Sequence, residues 1–179
     1  EDFKDLELVK FVMERLKFGQ HIFQIVHQHF YRNERNRLTQ QEKGNGAIRV
    51  LDVGCGVGSV MLPFKFAGYS CTGIDTASYY TKVAKDHLNL DIREVFISDF
   101  HDDEPYDIII LNHVVEHFTD PIRDLGKIRE LLKDDGVLYV EVPDVMRPYS
   151  WKPLPFFFML GHIFYFSAKT LELLMDKVG

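Results

Sequence analysis

The segment Val50-Leu51-Asp52-Val53-Gly54-Cys55-Gly56-Val57-Gly58-Ser59 runs from an apolar strand into a turn with three glycines at alternate positions. Glycine permits a tight turn and lets a ligand approach the backbone closely, and a glycine turn that opens a helix is a common cofactor cradle. The spacing narrows the ligand. A dinucleotide fingerprint reads G-x-G-x-x-G and seats a pyrophosphate on the helix N-terminus, whereas here the third glycine, Gly58, comes one residue early. Asp52, two residues before Gly54, would repel a pyrophosphate and attract an ammonium or sulfonium group.

On either side of this turn the chain alternates strands and helices. Ile48 to Val53 reads as the first strand and Ser59 to Phe66 as its helix; Ser70 to Ile74 and Thr76 to His87 repeat the pair. A third strand is expected at Arg93 to Ile97. The fourth, Tyr106 to Leu111, is nearly all apolar, as a parallel strand covered on both faces must be. Asp120 and Pro121 supply an N-cap and first-turn proline for a helix to Leu132, and Asp134-Asp135-Gly136 turns into a fifth strand, Val137 to Val142. The expected fold class is α/β: a Rossmann-like doubly wound parallel sheet of order 3-2-1-4-5, with ligands at the carboxyl ends of the strands. Before it, Leu6, Val9, Phe11, Val12 and Leu16, then Ile22, Phe23, Ile25, Val26 and Phe30 after Gly19, have helical spacing. They predict two helices forming an N-terminal cap, joined through a linker at Thr39 to Gly46. Residues 1–46 are thus read as cap and linker, and 47–179 as the ligand-binding domain.

A length of 179 residues, 46% hydrophobic and 27% charged, fits one globular domain with a short appendage and excludes disorder, collagen and coiled coil. With 27 acidic against 21 basic side chains, net charge −6, the average surface repels phosphate backbones and argues against nucleic acid as partner. Arg32, Arg35, Arg37 and Lys43 cluster, but Glu34 and Glu42 interleave with them, so they read as a solvated helix face. Cys55 and Cys71 form no C-x-x-C pair, which points to a reducing compartment and a cytoplasmic setting. Glu1 to Lys10 mixes charges with apolar residues and carries no secretory signal; without an initiating Met, the chain is expected to begin inside a longer product. Leu154 to Phe166 is too short to cross a bilayer, which takes about 20 residues, although it can touch a membrane surface.

Two further strand ends carry acids. Asp75 lies 21 positions after Gly54, near the separation at which an acid receives ribose hydroxyls in nucleoside-binding βαβ units. Ser98-Asp99-Phe100 offers a third acid beside an aromatic, suited to the amino group and ring face of an adenine. Together these residues describe a pocket for a nucleoside without phosphates.

From Val50 to Gly179 the chain resembles the class I S-adenosylmethionine-dependent methyltransferases. The resemblance rests on Leu51 to Gly58, Gly73-Ile74-Asp75, Tyr106-Asp107-Ile108-Ile109, Val115-Glu116-His117-Phe118-Thr119-Asp120-Pro121 and Leu131 to Leu138, in that order and spacing. It implies S-adenosylmethionine as cofactor and S-adenosylhomocysteine as product. Gly54, Gly56 and Gly58 would face the methionine part, with Asp52 nearby; Asp75 would hold the ribose, Ser98, Asp99 and Phe100 the adenine, and Asn112 the region of the sulfonium. The family's sheet normally continues past strand five with a helix and an antiparallel strand pair. Here Ser167 caps a helix from Ala168 to Val178 and the final pair is missing, so the domain is expected to be C-terminally incomplete, with strand five an uncovered edge.

Methyl transfer is an in-line displacement for which alignment supplies much of the rate, and a base is needed only when the nucleophile carries a proton of high pKa. Asn112-His113-Val114-Val115-Glu116-His117, read as a helical turn, would put His113, Glu116 and His117 on one face at the cleft mouth. Later, Gly161-His162-Ile163-Phe164-Tyr165-Phe166-Ser167 precedes a helix. This pairing resembles small-molecule O-methyltransferases of the ubiquinone-biosynthesis type and related sugar enzymes, which implies O-methylation of a small hydroxyl acceptor with Glu116, His117 and His162 as catalytic candidates. It also resembles the domain that methylates the terminal 2'-hydroxyl of small RNAs, where two Glu and two His hold a divalent metal; His113 stands where that pattern has its first Glu. A base at His117 or His162 without metal, a metal held by His113, Glu116, His117 and His162, and a Glu116–His117 contact that merely fixes the loop are the alternatives. A metal site of that composition would favour zinc or iron over magnesium. A catalytically silent cofactor-binding domain is the rival from another class, and an NAD-dependent oxidoreductase is opposed by the glycine spacing and Asp52.

Between strand five and the last helix, three prolines (Pro148, Pro153 and Pro155) prevent regular structure. Tyr149, Trp151 and Phe156 to Phe158 could line an apolar acceptor pocket there, with Arg147 and Lys152 available to an anionic group. Oligomeric state is not legible in the sequence.

Overall fold

A computed structural model describes residues 2–32, 47–147 and 161–179. The linker at Thr39 to Gly46 and the aromatic insertion from Tyr149 to Phe158 lie outside the described residues. Five strands form one sheet: β1 (Arg49–Val53), β2 (Ser70–Asp75), β3 (Asp91–Glu94), β4 (Tyr106–Asn112) and β5 (Leu132–Glu141), in the order β3-β2-β1-β4-β5. Every pairing is parallel, as expected. In chain order the helices are α1 (Asp2–Arg32), α2 (Met61–Phe66), α3 (Ser78–Leu88), α4 (Pro121–Leu131) and α5 (Ala168–Val178). The core is continuous with the apolar runs: Val50, Leu51 and Ile108 to Leu111 are fully buried between the helical layers. Among the described residues no antiparallel strand joins the sheet and β5 lies at its edge.

The N-terminal segment differs from the two-helix expectation, because α1 runs unbroken through Gly19. Gly19 is a contact rather than a break: a Cβ there would lie 2.6 Å from the Ser59 carbonyl oxygen, so the missing side chain lets α1 approach the turn after β1. Ile22, Val26 and Phe30 then bury against Val60, Phe64, Ile108 and Ile110, and the helix forms part of the layer over the sheet.

Other boundaries shift for local reasons. Met61 rather than Ser59 opens α2, since Gly58 to Val60 are spent on the turn. Asn89, in the left-handed region at φ 48°, ends α3, and β3 follows at once at Asp91 instead of Arg93. Only Ile92 of β3 points inward, and Ile97 belongs to a single 3-10 turn, Ile97–Asp99. The expected turn at Asp134-Asp135-Gly136 is absorbed into β5 as a register shift opposite Tyr106 and Ile108. Lys133 ties that irregularity to the sheet by pairing with Asp107 at 2.6 Å. Both expected caps form: Asp120 accepts from the Arg123 N–H, with Pro121 in the first turn, and Ser167 accepts from the Thr170 N–H.

Candidate functional site

A cleft of about 370 Å³ opens over the carboxyl ends of β1, β2 and β4. That is where a parallel sheet places its ligands: β1 and β4 diverge toward helices on opposite faces and leave a crevice between them. Three turns build its floor. The Gly54 and Cys55 N–H groups both donate to the Ile74 carbonyl, at 2.8 and 3.1 Å, which folds the glycine turn against the end of β2. All three glycines hold positive φ, at 68°, 55° and 77°. Gly54 lines the cleft, where a Cβ would strike the Val114 side chain at 2.5 Å; Gly56 lies outside the lining, and a Cβ there would meet nothing within 4 Å. Gly58 serves packing instead of the cleft, because a Cβ there would sit 2.3 Å from Leu90 Cδ1.

Asp75 lines the cleft as expected, and its carboxylate accepts from the Gly56 N–H at 2.7 Å and the Ala77 N–H at 2.8 Å. Ser98 lines it too. Asp99 is exposed in the 3-10 turn and outside the lining, and Asn112, half-buried at the end of β4, is also outside it. Phe100 requires a correction. It is 2% exposed and packs in the core beside Tyr106, so it offers no face to a ligand. The aromatic at that wall is Phe96, 65% exposed, which sequence reasoning missed because it extended β3 to Ile97 and so misjudged which aromatic the turn leaves outside. Arg123 and Asp124 also line the cleft and were missed, although the Asp120-Pro121 cap was the signal that α4 would start at its rim.

Asp52 departs from its expected place as well. It is 1% exposed between β2 and β4, outside the cleft lining, and one of its oxygens has no hydrogen-bond partner. Burial, reinforced by the like charge of Asp75, pushes its carboxyl up to about 8. Burial thus favours its neutral form, at a position outside the cleft lining.

The turn after β4 is not helical from Asn112. His113 adopts φ 57°, and a single 3-10 turn follows at Val115–His117. Glu116 therefore stands between His113 on one side and His117 on the other. The His113 Nδ1 lies 3.3 Å from Glu116 Oε1 and its Nε2 lies 3.7 Å from Glu141 Oε1, while His117 turns to the segment before α5. There His117 Nδ1 lies 2.7 Å from the Gly161 carbonyl, and its ring meets that of His162 edge-on at 4.9 Å. The Ile163 and Phe164 N–H groups donate to the Glu116 carbonyl and dock this segment onto the turn. Glu116 is 1% exposed, and its Oε2 and the His162 Nδ1 are buried without partners. Ligand-type atoms of Glu116, His117 and His162 lie within 4.8 Å of one another; His113 is outside that group. Burial holds the His162 imidazole below its ordinary range despite the opposing Glu116 carboxylate, with His117 and His113 adding to the depression.

A carbonyl oxygen can only accept, so the His117–Gly161 contact assigns the proton to Nδ1 and leaves the Nε2 lone pair available at a residue that lines the cleft. His117 and Asp75 thus line one cleft, at the ends of β4 and β2. Arg147, on the acceptor side, is largely exposed and pairs loosely with Asp144 at 3.9 Å.

A methyltransferase-domain family model matches residues 25–179. The chain belongs to that family and has the fold of the class I S-adenosylmethionine-dependent enzymes. It is 37% identical over 112 residues to a ubiquinone biosynthesis O-methyltransferase of Actinobacillus pleuropneumoniae, covering 55% of this chain and 48% of that protein. The chain spans about half the length of the curated relatives it matches. Among solved structures, an S-adenosylmethionine-dependent methyltransferase from Archaeoglobus fulgidus matches with TM-score 0.62 at 22% identity, covering 88% of this chain and 73% of its own. The [4+2]-cyclase SpnF matches with TM-score 0.58 at 24% identity, covering 80% and 57%. No helix among the described residues is long and apolar enough to cross a membrane.

Proposed function

We propose that this protein transfers the methyl group of S-adenosylmethionine to a hydroxyl of a small molecule, with His117 as general base. The cofactor, when bound, supplies a methyl carbon made electrophilic by its sulfonium and leaves as S-adenosylhomocysteine. The residues fit it: Asp75 offers a carboxylate, Gly54 a glycine backbone, Phe96 an exposed ring and Ser98 a hydroxyl at the cleft, all without a phosphate-binding cation in the glycine turn. His117 Nε2 would take the proton of an acceptor hydroxyl, leaving its oxygen to receive the methyl group. Val114, packed over Gly54, and Phe118 add apolar lining to the cleft.

The observation that carries the choice of His117 is its Nδ1 contact with the Gly161 carbonyl, which keeps the proton on Nδ1 and makes Nε2 the acceptor atom of a residue that lines the cleft. The O-methyltransferase relative supports a hydroxyl over a carbon or nitrogen acceptor. A second reading, in which a divalent cation activates the acceptor oxygen, is favoured by the orphaned atoms of Glu116 and His162 beside His117: one carboxylate and two imidazoles suit zinc and leave a position open. The cyclase neighbour is a reminder that a cofactor-binding fold of this type need not transfer a methyl group, which keeps the scaffold alternative in view. The deciding experiment is a labelled-methyl transfer screen over quinol, sugar, lipid-precursor and RNA acceptors, with and without chelator. Transfer to a small hydroxyl supports the proposal; S-adenosylhomocysteine binding without transfer to any acceptor supports the scaffold.

A further inference from the structure

His113 is held in a backbone conformation that glycine or asparagine adopts at lower cost, at φ 57° on the residue that ends β4's run into the cleft. If the turn alone mattered, either residue would serve it better. What the imidazole adds is a link between two carboxylates from different elements. Its Nδ1 lies 3.3 Å from Glu116 Oε1, its Nε2 lies 3.7 Å from Glu141 Oε1 at the end of β5, and Glu141 is itself fixed by the Tyr139 hydroxyl at 2.6 Å. The His113 N–H also donates to the Glu141 carbonyl at 2.8 Å, which anchors the residue to the sheet at both backbone and ring.

The consequence falls on Glu116. Its Oε1 is engaged by His113 and its Oε2 is buried without a partner, while the carboxylate reaches within 4.8 Å of ligand-type atoms of His117 and His162. His113 also lines the cofactor cleft, so one ring touches the wall of that cleft and orients the acid behind the base. We infer that His113 is a positioning residue: it fixes the Glu116 carboxylate toward His117 and His162, and the left-handed turn is tolerated because it puts the ring there. The inference rests on the proposed methyl transfer for its effect on rate, although the geometry is independent of it.

The test uses His113→Gly and His113→Asn, both compatible with the turn, on protein carrying ¹³C-labelled glutamate, with Glu116→Gln to assign the Glu116 carboxyl resonance. Expected are variants that still unfold cooperatively and S-adenosylhomocysteine affinity within about threefold, since the cradle is untouched. The Glu116 resonance should move in both variants and return in His113→Gly when free imidazole is added. With an acceptor from the screen, kcat should fall by about 100-fold at nearly constant KM, and imidazole should restore part of it in His113→Gly. An unmoved Glu116 resonance overturns the inference, as does undiminished turnover; so does a loss of kcat that added imidazole leaves unchanged while the resonance returns. If the resonance moves but the unaltered protein transfers no methyl group, the proposed function fails and the positioning stands.

Discussion

The Asp75 carboxylate accepts the Gly56 N–H at 2.7 Å, so the acid that lines the cleft at the end of β2 is tied to the glycine turn after β1. A second bond, from the Ala77 N–H at 2.8 Å, fixes the other oxygen. Asp75→Ala should therefore weaken S-adenosylhomocysteine binding by about 1 to 3 kcal/mol, through lost ligand contacts and a loosened turn. Asp75→Asn, which keeps the shape but accepts through one oxygen only, should lose less. Titration calorimetry checks both, and equal binding by the alanine variant would remove the ribose assignment. No binding of NAD is expected.

The alternate glycines divide by what surrounds them. Gly56→Ala meets open space and should cost roughly 1 to 2 kcal/mol, the backbone penalty of its positive φ alone. Gly58→Ala adds to that penalty a contact 2.3 Å from Leu90 Cδ1 and should cost about 1 to 3 kcal/mol more, as overpacking does. Urea denaturation would separate them. Equal losses would mean that Leu90 and Ile92 yield freely and that Gly58 is kept for a ligand instead.

Asp52 sets a pH dependence of stability. Its carboxyl is raised in the folded protein from an ordinary 3.8 to about 8, so between those values the folded state holds a proton that the unfolded chain has released. Folding is then linked to proton uptake, and this residue's contribution to stability falls as pH rises through the window, by up to about 1.4 kcal/mol per unit, levelling above about 8. Asp52→Asn keeps the shape without the charge. Its stability should decline less steeply than that of the unaltered protein between pH 5 and 8, and it should be the more stable of the two at the upper end. Parallel slopes in the two proteins would place the Asp52 proton elsewhere.

Much of this fold was legible because parallel strands covered on both faces leave a strong imprint: Tyr106 to Leu111 could hardly be anything else. Caps were equally readable, since Asp120-Pro121 and Ser167 act within one turn of their own helix. What failed depended on distant partners. Gly19 reads as a helix break until Ser59 is seen against it, and Phe100 reads as an exposed ring until the turn at Ile97 buries it. The site divides the same way: Asp75 followed from its spacing, whereas the separation of His113 from His117 follows from one left-handed residue that no periodicity announces. Gly19→Ala makes the point measurable. Helix propensity alone predicts a gain of about 1 kcal/mol, but the close approach to the Ser59 carbonyl predicts a loss, and a stabilised variant would show that α1 can withdraw without cost.

Replacing His117 separates the two chemical readings. Under the base reading, His117→Gln should lower kcat by about 10²- to 10⁴-fold, leave S-adenosylhomocysteine affinity intact, and respond neither to chelator nor to added zinc. His162→Gln should then be milder, because the His162 ring supports His117 edge-on and does not line the cleft. Under the metal reading, Glu116→Gln, His117→Gln and His162→Gln should all be severe, chelator should abolish activity in the unaltered protein, and zinc should restore it. The Gly161 carbonyl contact is compatible with both, since it leaves Nε2 free either to take a proton or to bind a cation. The relative severity of His117→Gln and His162→Gln is therefore the sharpest measurement, and equal loss without chelator sensitivity would count against both readings.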